Sequence, residues 1–64
     1  MAAYKLYARR IGVDKRLRPY NISTGFVTKQ SQATTYYTLN EIAVAITELH
    51  RKHLGVQFNF KEAK

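Results

Sequence analysis

Apolar and polar positions along this chain keep a two-residue period, switch to a helical one, and switch back. From Ala2 to Val13, Tyr4, Leu6 and Ala8 alternate with Lys5, Tyr7 and Arg9, the period of a half-buried strand. The alternation changes phase at Arg9-Arg10, because Ile11 and Val13 fall on odd positions; this means a bulge or the strand's end, and a bulge near Arg10 is the favoured reading. Gly12 to Pro19 predicts a turn or loop with Asp14 and Lys15 at its tip; Pro19 cannot donate to a central ladder. Tyr20, Ile22, Thr24 and Phe26 share one parity and predict a second strand, with Gly25 as its weak point. Thr28 to Gln32 is polar and turn-like. Ala33 to Tyr37 is β-branched and aromatic and predicts a short third strand.

The period then becomes helical over Thr38 to Gly55. Thr38 and Glu41 have the S/T-x-x-E spacing of a capping box, and Tyr37 is placed to fold onto Ile42 as a hydrophobic staple. Leu39, Ile42, Ala43, Ile46 and Leu49 form one apolar stripe. Arg51, Lys52 and His53 crowd the last turn, where positive charge suits the helix dipole, and Gly55 stands where a left-handed cap residue is expected. Beyond it, Val56, Phe58 and Phe60 alternate with Gln57 and Asn59 and predict a fourth strand, with residues 61–64 as a frayed tail.

The predicted fold is a small α+β domain spanning residues 1–64, β-β-β-α-β, with a mostly antiparallel sheet and one helix packed on one face. Tyr4, Leu6, Ile22, Phe26, Phe58 and Phe60 are expected to meet Leu39, Ile42, Ile46 and Leu49. The other sheet face would carry Lys5, Tyr7, Arg9, Gln57 and Asn59, and is expected to be uncovered, basic and partly aromatic.

Composition sharpens this picture at three points. A chain of 64 residues buries only about 60% of its unfolded surface, and without cysteine it has no disulfide or zinc-thiolate staple. It relies on five tyrosines, three phenylalanines and one helix-on-sheet core, with self-association as a homo-oligomer or a partner to supply the rest. The missing cysteine fits a cytoplasmic setting, and neither a secretory h-region nor a membrane-spanning run is expected. The Asn21-Ile22-Ser23 triplet then reads as chance rather than as a glycosylation site. The formal charge of +7 points to acidic partners. It is concentrated early: residues 1–20 hold Lys5, Arg9, Arg10, Lys15, Arg16 and Arg18 against Asp14 alone.

Those six cations, with Tyr7 and Tyr20, are the candidate binding residues. Cations neutralise phosphates and release counterions, and tyrosines stack on unpaired bases. His50 and His53 lie three apart on the apolar side of the helix, but no further ligand completes a metal set; they read as side chains at the core edge. The four carboxylates each have a structural reading: Asp14 in a turn, Glu41 in the cap, Glu48 spaced to Arg51 and Lys52, Glu62 in the tail. No general acid–base pair remains, so no enzyme, cofactor or metal site is expected. Membrane contact is not expected either, since an interfacial helix carries Lys and Arg along its whole polar side.

Three strands followed by a helix, with TYYTLNEIAVAI at the junction, are loosely similar to the small arm-type DNA-binding domains of phage tyrosine recombinases. The likeness covers about residues 4 to 53; the added strand Val56–Phe60 departs from it. It implies a sheet that reads DNA. The short layout also resembles virus-encoded proteins that bind and inhibit a host enzyme, which implies an acidic protein partner in the host cytoplasm. The expected function is therefore a nucleic-acid-binding module for DNA or RNA, using the sheet face and the 14–18 loop. The alternative is a small basic protein that docks on an acidic surface of a larger enzyme or complex and inhibits or modulates it.

Overall fold

The computed structural model describes residues 2–63. In chain order these form β1 (Ala3–Arg10), β2 (Arg18–Asn21), β3 (Gly25–Phe26), β4 (Thr35–Tyr36), α1 (Leu39–Lys52) and β5 (Val56–Ala63). A 3-10 turn at Gln30–Gln32 precedes β4. Every strand pairing is antiparallel and one helix packs on the sheet, an α+β fold. β1 is the centre. β5 pairs along its whole length, from Ala3↔Ala63 to Arg10↔Val56. On the other side two short strands share β1: β4 at its start (Lys5↔Thr35) and β2 at its end (Tyr7↔Pro19). Between them the Leu6 N–H donates to the Thr34 carbonyl at 3.0 Å, and the Thr34 N–H donates to the Tyr20 carbonyl at 3.1 Å. β3 lies outside β2.

The helix starts where its local chemistry dictates. Thr38 is the N-cap, and its Oγ1 accepts the Glu41 N–H at 3.1 Å and lies 3.0 Å from Glu41 Oε1. The staple does not form: Tyr37 is 66% exposed. The buried stripe is also rotated from the expected one. Ile42 is fully buried and Ile46 and Leu49 pack on the core, whereas Leu39 and Ala43 are exposed. Leu39 occupies the first turn, where the helix has only begun to cover the sheet. His53, not Gly55, is the C-cap; Gly55, at φ +88°, makes the turn into β5.

The core is centred on Leu6, Ala8 and Phe58, with Tyr20, Phe26, Tyr36, Ile46, Leu49 and Val56 packed around it. Tyr20 sets its ring edge-on to both Phe26 and Phe58, with centroids 5.2 Å apart in each pair. Tyr4 and Phe60 make a similar pair at 5.8 Å.

Several expected elements are redrawn. The phase change at Arg10 is the end of β1, not a bulge: Val13 and Asp14 both donate N–H to the Arg10 carbonyl, closing a tight turn. The predicted second strand is a hairpin. Asn21 Oδ1 accepts the N–H of Ser23 (2.8 Å) and of Thr24 (3.3 Å), an Asx turn, and Gly25 at φ +93° returns the chain as β3. That turn carries Ile22 out of the expected core, to 55% exposure. The third strand shrinks to Thr35–Tyr36. Residues 61–63 are not a tail but the end of β5; residue 64 lies outside the described residues.

Candidate functional site

The register sorts the cations of the sequence into distinct places. Lys5, Tyr7 and Arg9 of β1 lie opposite Lys61, Asn59 and Gln57 of β5, and Lys5 also lies opposite Thr35. Residues directly opposite share a face, so these make the sheet's outer face, away from Leu6, Ala8 and Phe58. Lys5 and Arg9 stand about 13 Å apart along the strand, and Lys61 is about 5 Å across from Lys5.

Each cation on this face is held by an uncharged partner. Lys5 Nζ donates to Thr35 Oγ1 at 2.6 Å. Arg9 Nε donates to Gln57 Oε1 at 2.6 Å, and Arg9 Nη1 donates to the Asp14 carbonyl at 3.2 Å. Lys61 Nζ sits 4.8 Å from the centroid of the Tyr7 ring. No acidic residue falls on the face by register. Three full positive charges therefore stand in fixed positions with no counter-charge among them.

Arg10 and Arg18 behave differently. They belong with Ala8 on the core side, and they share one carboxylate. Arg10 Nε lies 3.1 Å and Arg18 Nη2 3.5 Å from Asp14 Oδ2, and the Arg10 N–H also donates to that oxygen at 3.0 Å. The Arg18 guanidinium lies 4.8 Å from the Phe26 centroid. The Asp14 side chain is only 13% exposed. Its hydrogen bonds from the Arg10 side chain and backbone, with the charges of Arg10 and Arg18, bring its pKa down to about 2. The same bond raises that of Arg10. These two arginines fold the loop, and between them and Asp14 one net charge remains. Lys15 and Arg16 follow in the loop and are exposed. Ion pairs among the described residues are confined to this cluster; Glu48 makes none with Arg51 or Lys52, against expectation.

The tyrosines do not stand where base stacking needs them. Tyr7 is 7% exposed, so the outer face is not open at its middle, and Tyr20 is part of the core. Alternation places Tyr7 outward, yet Leu6, Tyr7 and Ala8 are all buried: Leu6 and Ala8 lie in the core, and the Lys61 side chain lies over the Tyr7 ring. Lys61, expected in a tail, is part of β5, and the parity of Gln57 and Asn59 continued two residues leads to it. Tyr37, exposed beside β4, is the aromatic ring nearest in sequence to this face that solvent reaches freely.

The histidines have a structural task. With Phe58 facing Ala8 and its N–H directed away from β1, that N–H donates to His50 Nε2 at 3.0 Å. The next outward N–H, of Phe60, donates to Asn59 Oδ1 at 2.8 Å. β5 pairs with β1 alone, so its other side is an edge, and these side chains blunt it against pairing with another strand. The His53 ring lies 6.0 Å from that of Phe58. Burial and the charge of Glu41 push the Tyr36 phenol above its ordinary value. No helix among the described residues is long and apolar enough to cross a membrane.

No protein-family model matches the chain, and no curated protein or solved structure matches it either.

Proposed function

We propose that this chain is a non-enzymatic nucleic-acid-binding module that grips the phosphate backbone with the outer face of β1 and β5. One observation carries the reading: Lys5, Arg9 and Lys61 are positioned on a single face by neutral partners, with no carboxylate among them. Side chains already held in place lose little freedom on binding, and each retains its full charge for a phosphate. Arg9 keeps its Nη2 and the second proton of Nη1 for a ligand. Lys15 and Arg16 extend the positive surface from the loop. Arg10 and Arg18 leave the contact set as loop-forming residues, Tyr7 leaves it because it is buried, and Tyr20 because its ring packs against Phe26 and Phe58. The grip is therefore on the backbone, with base readout weak.

Binding to duplex DNA measured against salt tests this. Log affinity falls with log salt by about 0.9 per phosphate contact. Neutralising Lys5, Arg9 and Lys61 together as Gln makes the slope shallower by about 2.7, with sequence preference unchanged. The folded state of the triple variant is checked by urea titration. An unchanged slope in a folded variant rejects the face. Loss of all nucleic-acid affinity at low salt in the native chain rejects the function and favours the acidic protein surface.

A further inference from the structure

One end of the molecule carries apolar side chains that the fold does not use. Ile11 is 59% exposed, Val13 66% and Leu54 89%. They sit on two turns that are tied together: the Ile11 N–H donates to the Gly55 carbonyl at 2.8 Å. Both turns are shaped by glycines with positive φ, Gly12 at +81° and Gly55 at +88°. These conformations fix the tips without recourse to apolar packing, so the three aliphatic side chains are free to project.

The surroundings of this tip are cationic. Lys15 and Arg16 follow Val13, and Arg51 and Lys52, all exposed, precede Leu54. The one carboxylate in these two segments, Asp14, is occupied by Arg10 and Arg18. An aliphatic tip with exposed cations next to it along both segments of the chain is complementary to a surface that is anionic outside and hydrocarbon beneath. Protein hot spots draw mainly on Trp, Tyr and Arg, and Leu and Val are under-represented in them. The tip has neither Trp nor Tyr, and its cations flank the apolar group rather than joining it.

We propose that this tip, with Ile11, Val13 and Leu54 at its centre, inserts shallowly into the surface of an anionic lipid bilayer. Lys15, Arg16, Arg51 and Lys52 meet the headgroups while the aliphatic side chains enter the acyl boundary. The helix does not take part through its own face, where Glu41 and Glu48 are exposed.

The test is co-sedimentation with phosphatidylcholine vesicles, plain or with about 30 mol% phosphatidylserine, at about 0.1 M salt. The native chain binds the anionic vesicles and leaves the plain ones. The double variant Val13→Ser, Leu54→Ser binds them about tenfold or more weakly, while its DNA affinity and urea midpoint stay unchanged. The chain has no tryptophan, so Leu54→Trp supplies a clean reporter, whose emission shifts to the blue on anionic vesicles. Binding that survives the double serine variant, with a solvent-like indole, is adsorption by charge alone and overturns the proposal. Absence of binding to anionic vesicles also overturns it and leaves the tip as a protein-docking face.

Discussion

Truncating Ile42 to Ala measures how the helix seats on the sheet. Ile42 is fully buried, whereas Ile46 is partly exposed and Leu39 is 55% exposed. Removing a fully buried Ile side chain to the β-carbon costs about 2–5 kcal/mol, and a site with no solvent access belongs in the middle or upper part of that range. We expect about 3–4 kcal/mol for Ile42→Ala, about 1–2 for Ile46→Ala, and under about 0.5 for Leu39→Ala. A domain of this length has about 3–10 kcal/mol in total, so the first variant loses a large part of it. In urea, with a slope of about 1 kcal/mol per molar, the Ile42 midpoint falls by about 3 M and that of Leu39 barely moves. The assay is far-UV circular dichroism across a urea series, run for all three variants. A Leu39→Ala loss equal to or above that of Ile42→Ala refutes the seating. It would mean that the helix rolls toward the stripe including Leu39 and Ala43.

Three further outcomes follow from single contacts. Thr38→Ala lowers stability by about 1 kcal/mol, read by the same urea series, because the Glu41 N–H loses its acceptor. Asp14, whose pKa falls from 3.8 to about 2 on folding, stabilises the chain above pH 4, and that contribution disappears as pH drops from about 4 toward 2; Asp14→Asn flattens this part of the acid profile. His50→Ala leaves the Phe58 N–H unpaired on an open edge, costs about 1 kcal/mol, and raises light scattering at high concentration relative to the native chain.

What the sequence revealed depended on how local each determinant was. The helix was legible because its cap lies within four residues and Ile42, Ile46 and Leu49 within eight, whereas periodicity left open how far it is rolled, and Leu39 and Ala43 are exposed. β1 and the start of β5 were legible because their alternation is strict. The β2–β3 hairpin was not, for a geometric reason. Its register pairs Tyr20 with Phe26, so partner residues have the same parity, and the alternation runs through the turn as though the strand continued. The informative signal was chemical: Asn21 two residues before Ser23-Thr24-Gly25 is an Asx turn with a left-handed exit. The candidate site shows the same division. The outward parity of Lys5 and Arg9 could be read, but which cations Asp14 would occupy could not. Arg10 lies four residues before Asp14 and Arg18 four after it, and only a folded turn brings both to one carboxylate. The 7% exposure of Tyr7 was not legible, because alternation reports which way a side chain points and not how much of it solvent reaches.

The formal charge of +7 is therefore a poor guide to how this surface works. An exposed ion pair adds little to stability, and the Asp14 cluster serves to hold the loop in shape. By closing that loop, it also presents the Asp14 carbonyl to Arg9 and so helps aim a cation on the opposite face. The two groups of arginine are linked through one residue: its carboxylate engages Arg10 and Arg18, and its carbonyl orients Arg9. Acid that protonates Asp14 would loosen the loop before it touched any charge on the outer face. The Arg9 side chain would then keep Gln57 and lose its second fixed acceptor. Charge would remain while position was lost, and position is what separates a binding face from a merely basic one.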